Sequence, residues 1–429
     1  MSRRITIPRI GADYHRAELR TLARHAAPRL AMAAATGVVV GLGVAVFDRV
    51  IAHEMLPRLL DAPLWVLAIA PGIGLLVTAI VLRTVGGGTS PSTADEYLRA
   101  YHDPAYRPTP RQLGARLLAA IATVGSGGPM GLEGPSIHIG SSVGTWAQQR
   151  APRLFRGADQ RTLMVAGAAA AVAAIFKAPA TGVVFALEVP YQDDLARRML
   201  LPALLSGASG YLAFAAVNGT EPLLRIVGDP AFDLRDLLGA LLLGALAGVA
   251  ARLFALAIRR AKALSGRAHP LARAAVAGVV LAGLLLAARA LADEPLTVGP
   301  GYDTIRWAID PEHSVGIVLA VLALRCVATV ATVGGGGTGG LFIPLVVAGA
   351  LLGRAVGGTI DALDTSLFTT IGMAAFLGAG YRVPLAAVMF VAETTGQASF
   401  VVPGLLAAVA AELMMGPASI TDQQQRDDT

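Results

Sequence analysis

Residues 125–144 read Gly-Ser-Gly-Gly-Pro-Met-Gly-Leu-Glu-Gly-Pro-Ser-Ile-His-Ile-Gly-Ser-Ser-Val-Gly, a glycine-dense stretch with one acid, Glu133, set between long apolar runs. A carboxylate at membrane depth costs at least about 2.5 kcal/mol, so intramembrane acids face a polar pathway rather than lipid. Glycine lets the main chain turn sharply and approach a ligand closely, and Gly134-Pro135 suits a helix's first turn, where proline's missing N–H costs nothing. Glu133 is therefore expected at a helix N-terminus inside the membrane. Free amides and the helix dipole there favour negative charge, by up to about 2 kcal/mol in partly buried geometry. Such a spot holds an anion or, in its absence, the carboxylate of Glu133.

A second copy lies 209 residues downstream, at residues 334–353, and matches Gly125, Gly127, Gly131, Leu132, Pro135, Gly140 and Gly144 without gaps. Glu133 falls opposite Phe342, and the same offset carries Arg116 onto Arg325 and Ala122-Thr123-Val124 onto Ala331-Thr332-Val333. A further pair follows each copy. The segment from Lys177-Ala-Pro179 through Phe185 to Glu188 answers to Arg382-Val-Pro384 through Phe390 to Glu393, at an offset of 205. The chain is a duplication.

Composition sets the medium. Hydrophobic residues make up 55% of the 429 and charged ones 15%, with a mean hydropathy of +0.61, which implies an all-α polytopic membrane protein. The apolar mass is Ala, Leu, Val and Gly rather than aromatic, so helices are expected to pack closely through small residues. Apolar runs far longer than alternating ten-residue strands exclude a β-barrel. The single cysteine, Cys326, rules out an intrachain disulfide and is expected as a small buried apolar residue.

Residues 1–29 form a basic segment, with Arg3, Arg4, Arg9, Arg16, Arg20, Arg24 and Arg29 against Asp13 and Glu18. Directly before an apolar helix this predicts a cytoplasmic N-terminus touching anionic lipid, not nucleic acid, since no aromatics interleave the arginines. No cleavable signal is evident. A first membrane repeat is expected over 30–217, with spans at 30–52 and 63–83, the latter broken at Pro71-Gly72, and a surface loop from His102 to Arg116. After a short helix at 135–147, runs at 162–176 and 179–189 are too short to span comfortably, and 199–217 closes the half. Residues 218–236 read as a linker and 237–420 as the second repeat, with runs near 237–258, 271–292, 314–333, 344–359, 366–380, 384–394 and 401–416. The tail, 421–429, reads as polar and disordered. Short, broken helices at membrane depth are tolerated only where buried in protein or lining a cavity, which points to a transporter or channel.

The motif Gly131-Leu132-Glu133-Gly134-Pro135 resembles the Gly-x-Glu-Gly-Pro motif of the CLC chloride channels and chloride/proton exchangers, and Gly340-Leu341-Phe342-Ile343-Pro344 resembles their Gly-x-Phe-x-Pro motif. The Ala-Pro segment ending in Glu188 and its partner ending in Glu393 are similar to that family as well, so the resemblance covers about residues 30–420. It is to short prokaryotic members without cytosolic regulatory domains, in a bacterial inner membrane. It implies an inverted-repeat, all-helical homodimer with many tilted and broken helices and one pore per subunit. Glu133 would be the gate, competing with chloride and carrying a proton. Amides around Leu132, Glu133 and Gly134 and around Leu341 and Phe342 would bind the anion, with no cofactor or metal beyond chloride or a similar anion.

Three departures from the family pattern bear on mechanism. The turn that usually carries an anion-binding Ser reads Gly87-Gly88-Thr89-Ser90-Pro91 here, with Gly88 in the serine position. No tyrosine follows Tyr381, so Ser419 is the nearest match to the usual inner tyrosine. Exchangers often carry paired glutamates where this chain has Glu188-Val189. The anion-binding set is thus Gly88, Thr89, Ser90, Leu132, Glu133, Gly134, Leu341, Phe342 and Ser419, with Glu133 and Glu188 as proton-pathway candidates. The expected function is channel-like or weakly proton-coupled transport of small anions, chloride foremost. A stoichiometric chloride/proton antiporter and a non-conducting scaffold are the alternatives. The resemblance disfavours fluoride, because fluoride-exporting relatives have an acid where this chain has Leu341.

Other motifs read as structural. Glu188 and Glu393 are equally readable as helix caps, Lys177 and Arg382 as snorkelling cations, and His138 as a packed histidine without metal-site partners. Gly140-Ser141-Ser142-Val143-Gly144 fits a nucleophile pattern but lies inside an expected helix without a preceding strand, and the Gly334–Gly339 run lacks a βαβ setting, so no enzyme is expected.

Overall fold

The structure, a computed structural model, describes residues 12–103, 105–155, 161–224, 232–265, 268–310, 312–360, 366–396 and 398–425. Residues 1–11, 225–231 and 426–429, parts of the expected basic segment, linker and tail, lie outside them. The described chain is helical throughout, its only β pairings being isolated bridges. Helices α1 (Ala12–Asp48), α2 (Leu56–Leu60), α3 (Leu64–Thr84), α4 (Ala94–His102), α5 (Pro110–Gly125), α6 (Glu133–Gln149), α7 (Thr162–Phe176), α8 (Pro179–Glu188) and α9 (Leu200–Asn218) build the first repeat. Helices α10 (Leu234–Ser265), α11 (Pro270–Ala292), α12 (Tyr302–Ile309), α13 (Val315–Gly334), α14 (Phe342–Ile360), α15 (Ser366–Tyr381), α16 (Pro384–Thr395) and α17 (Val401–Met415) build the second. Among the described residues, 7 helices are long and apolar enough to cross a membrane, whereas α7, α8, α15, α16 and α17 fall short of 18 residues.

Equivalent residues of the two halves meet each other, as an inverted repeat requires. Gly131 donates to the Gly340 carbonyl at 2.9 Å and Gly340 returns the bond to the Gly131 carbonyl at 2.7 Å. These residues stand 209 apart, so the pair lies on the axis that relates the halves. Farther out, Glu188, ending α8, accepts from the Leu385 and Ala386 amides at 3.1 and 2.8 Å. Glu393, on the last turn of α16, accepts from the Ala180 and Thr181 amides at 2.9 and 2.6 Å. Each acid caps the free N-terminal amides of the other half's short helix, where a carboxylate also meets the positive end of the dipole.

Glycines set the helix spacing. Gly140 on α6 lies against the Gly167 backbone of α7, and the equivalent Gly349 on α14 lies against Gly372 of α15. A Cβ at either position would run into a main-chain carbonyl, which no rotamer change relieves. Gly349→Val is therefore expected to separate α14 from α15, costing about 3 kcal/mol or more, and to lower the thermal unfolding midpoint in detergent. An unchanged midpoint would show the contact to be loose.

Several expectations need correction. The first span runs on through a π-helical turn at Arg49–Met55 to Leu60, because His53 and Glu54 face outward and do not interrupt it. No break occurs at Pro71-Gly72: α3 continues through Pro71, and Gly72 is instead where Gly278 of α11 crosses it backbone to backbone. The expected loop from His102 to Arg116 contains the start of α5. Thr109 caps it by accepting from the Gln112 amide at 3.2 Å, and Pro110 is its first residue. The tail is packed as far as Gln425: the Gln424 side chain is buried and donates to the Tyr381 and Val189 carbonyls at 2.7 and 3.0 Å. Cys326 is half-buried, at the edge of the core.

Candidate functional site

Glu133 is the first residue of α6, and its carboxylate is buried between two helix N-termini. Oε1 accepts from the Phe342 N–H at 2.6 Å, and the carboxylate also faces its own amide and that of Ile343. Oε2 has no partner. The acid of the first repeat thus sits on the opening turn of α14 in the second. A charge-assisted bond of this kind is roughly twice as strong as a neutral one.

The surroundings are tightly packed. Gly134 backs onto Thr93 and the Gly340 backbone, leaving no room for a side chain. The Phe342 ring is fully buried among Phe176, Phe390 and Phe185, with ring centres at 4.4, 4.9 and 5.4 Å. Two phenols lie within electrostatic reach of Glu133: Tyr302, opening α12, and Tyr381, closing α15. Sequence reasoning passed over both. For Tyr381 the signal was present, since it stands where the first copy of the Ala-Pro segment has Phe176.

Paired arginines hold the turns leading to this centre. Arg116 Nε donates to the Ser90 carbonyl at 3.1 Å. Its counterpart Arg325 donates to the carbonyl of Gly299, the residue equivalent to Ser90, and to those of Leu296 and Val298 at 3.2 Å each. Arg116 also bonds Glu96 at 2.9 Å and the ring of buried His138 at 3.2 Å. Tyr106 donates to the other oxygen of Glu96; burial and that carboxylate raise the phenol's pKa, so it stays protonated.

The expected anion ligands separate into two groups. Leu132, Glu133, Gly134, Leu341 and Phe342 are brought together and buried. Gly88 and Ser90 are exposed and Thr89 half-buried, with no hydrogen bond to the Glu133 group among the described residues. Ser419 is buried, but its hydroxyl donates to Gln424 at 2.7 Å and accepts from the Thr421 amide. Lys177 and Arg382 do not snorkel. Both adopt the left-handed conformation, φ 53° and 57°, at equivalent helix ends; Lys177 bonds the Asn218 carbonyl at 3.2 Å and Arg382 pairs with Asp193 and Glu412 at 3.0 and 2.8 Å. Ser142 lies mid-helix in α6, so no nucleophile elbow forms.

A family model described as "Voltage gated chloride channel" matches residues 73–416. The chain belongs to this CLC family. Among CLC proteins it is similar to the H(+)/Cl(-) exchange transporter ClcA of Citrobacter koseri, 28% identical over 316 residues, covering 71% of this chain. It is also similar to ClcA of Salmonella paratyphi A, 26% identical over 313 residues. The alignments span 66% of the length of these relatives. In fold it matches a slow cyanobacterial Cl-/H+ antiporter with a TM-score of 0.79, at 21% identity over 90% of this chain and 94% of that one. A CLC-type fluoride/proton antiporter gives a TM-score of 0.80, at 21% identity over 94% and 98%. The duplicated all-helical architecture is therefore the CLC fold.

Proposed function

We propose that this CLC chain moves small monovalent anions, chloride foremost, across a bacterial inner membrane, with its N-terminus cytoplasmic and one Glu133-gated pathway in each subunit of a homodimer. The observation that carries this reading is the 2.6 Å bond from the Phe342 amide to the Glu133 carboxylate. A negative group of one repeat occupies amides of the other, deep in a membrane protein, and nothing but a second negative group competes for that place. The curated relatives named as H(+)/Cl(-) exchangers support the same ion class.

On coupling, the reading is channel-like or weakly coupled transport. It is supported by Val189, buried where a second acid would follow Glu188, and by the Glu188 carboxylate being occupied in capping α16. Stoichiometric exchange is the second reading. It is favoured by Glu412, which lies within electrostatic reach of Glu188 and whose Oε2 has no hydrogen-bond partner among the described residues, an arrangement that suits handing a proton from one acid to the next.

The test is a flux assay on the purified chain in liposomes with chloride and proton gradients set independently. Chloride efflux that drives no uphill proton movement is the expected result. Proton uptake against its gradient at a fixed ratio to chloride would establish exchange instead, and absence of flux for chloride and fluoride alike would leave a non-conducting scaffold.

A further inference from the structure

A cavity of about 940 Å³ lies where the ends of α4 and α6, the start of α7 and the segment between α8 and α9 meet. It is remote from Glu133. Helix α6 opens at that acid and reaches the cavity wall only with its last residues, Gln148 and Gln149, about 25 Å farther along the helix. Phe155, also on the wall, packs in one cluster with Ala33 of α1. The cavity is therefore at the end of the molecule where the first span begins, the end of the basic N-terminal residues.

Its charge is one-sided. Arg107, Arg161, Arg197 and Arg198 line it from three separate stretches of chain, and among the described residues Asp194 is the one carboxylate on the wall. Two of these cations are held in place: Arg161 lies over the Tyr101 ring at 5.0 Å, and Arg197 bonds Asp194 at 3.2 Å. Like charges gathered around one concave space repel each other and focus a field that an entering anion relieves.

The lining also indicates which anion. All four cations are arginine, whose planar fork meets two oxygens of a phosphate at once, a geometry that the point charge of a lysine lacks. The volume suits an organic molecule rather than a lone chloride. Tyr101 and Tyr191, whose hydroxyls bond each other at 2.9 Å, supply an aromatic wall for the organic part.

We propose that this cavity binds an organic phosphate, with the arginines on the phosphate and the tyrosine wall on the remainder. A soluble nucleotide and the headgroup of an anionic phospholipid offer the same group. The site is separate from the ion pathway, so it stands whether or not Glu133 gates anions.

Two measurements on the full chain test this, in the wild type and in Arg161→Gln/Arg198→Gln. One is titration calorimetry with ATP in detergent. The other is thermal unfolding in nanodiscs of phosphatidylcholine with or without phosphatidylglycerol. Saturable ATP binding that weakens about tenfold or more in the double variant identifies a soluble phosphate ligand. A midpoint raised by phosphatidylglycerol in the wild type alone, without ATP binding, identifies a lipid headgroup. Neither effect, or effects of equal size in both proteins, would overturn the proposal. Displacement of ATP by sulfate at equal concentration would overturn it too, by marking a general anion patch. Should the double variant fail to fold, Arg198→Gln alone, at an exposed position, takes its place, and binding equal to wild type there counts against the site.

Discussion

Glu133→Gln is expected to leave chloride flux running and to erase its dependence on pH. In the wild type the carboxylate holds the Phe342 amide at 2.6 Å from within a fully enclosed site. Protonation removes the charge, weakens that bond and frees the amides for an anion, so wild-type flux rises as pH falls. On the side where the carboxylate form dominates, a single titrating gate changes the open population by up to about tenfold per pH unit. Glutamine has the same shape and is neutral at every pH, so the slope should vanish with flux set near the low-pH level of the wild type. Any proton movement coupled to chloride should go with it. Flux measured in liposomes over several pH values checks this; an unchanged slope would mean that another group gates the pathway.

The second large effect is on stability. Arg116→Leu leaves Glu96 buried without its cation and frees the Ser90 carbonyl and the His138 ring, all of which Arg116 now satisfies. Breaking a buried ion pair from one side typically costs about 3–5 kcal/mol, because the remaining charge stays in a dry site. The double variant Arg116→Leu/Glu96→Leu should recover part of that loss. Arg325→Leu offers the internal comparison. Arg325 holds three carbonyls and, among the described residues, no carboxylate, so its removal strands neutral acceptors and should cost less. Unfolding midpoints of the three variants in detergent rank these effects. If Arg325→Leu proved the most damaging, the carbonyl clamp would outweigh the ion pair.

How much of this fold is legible in the chain follows the range of the interactions involved. Helix ends at Glu133, Pro179 and Pro384 were legible because glycine and proline act on their own backbone. The reading of His102–Arg116 as a loop failed because its three prolines and its charges look solvated. One of those prolines opens α5 behind a Thr109 cap, and Arg116 is buried by partners that lie on α4 and α6. The tail misled for the same reason: Gln424 is polar in sequence, and its acceptors, the carbonyls of Val189 and Tyr381, are brought to it only by folding.

The sequence by itself determined the duplication, the membrane setting and the placing of one acid at a helix start, since repeated glycine spacing, hydropathy and cap chemistry are written along a single strand of chain. Only the tertiary structure decided what that acid touches. Gly131 and Gly340 pair across the axis between the repeats, and that pairing lays the Glu133 carboxylate on the Phe342 amide. Contacts between residues two hundred positions apart depend on how two halves dock, and no local preference of either half encodes them.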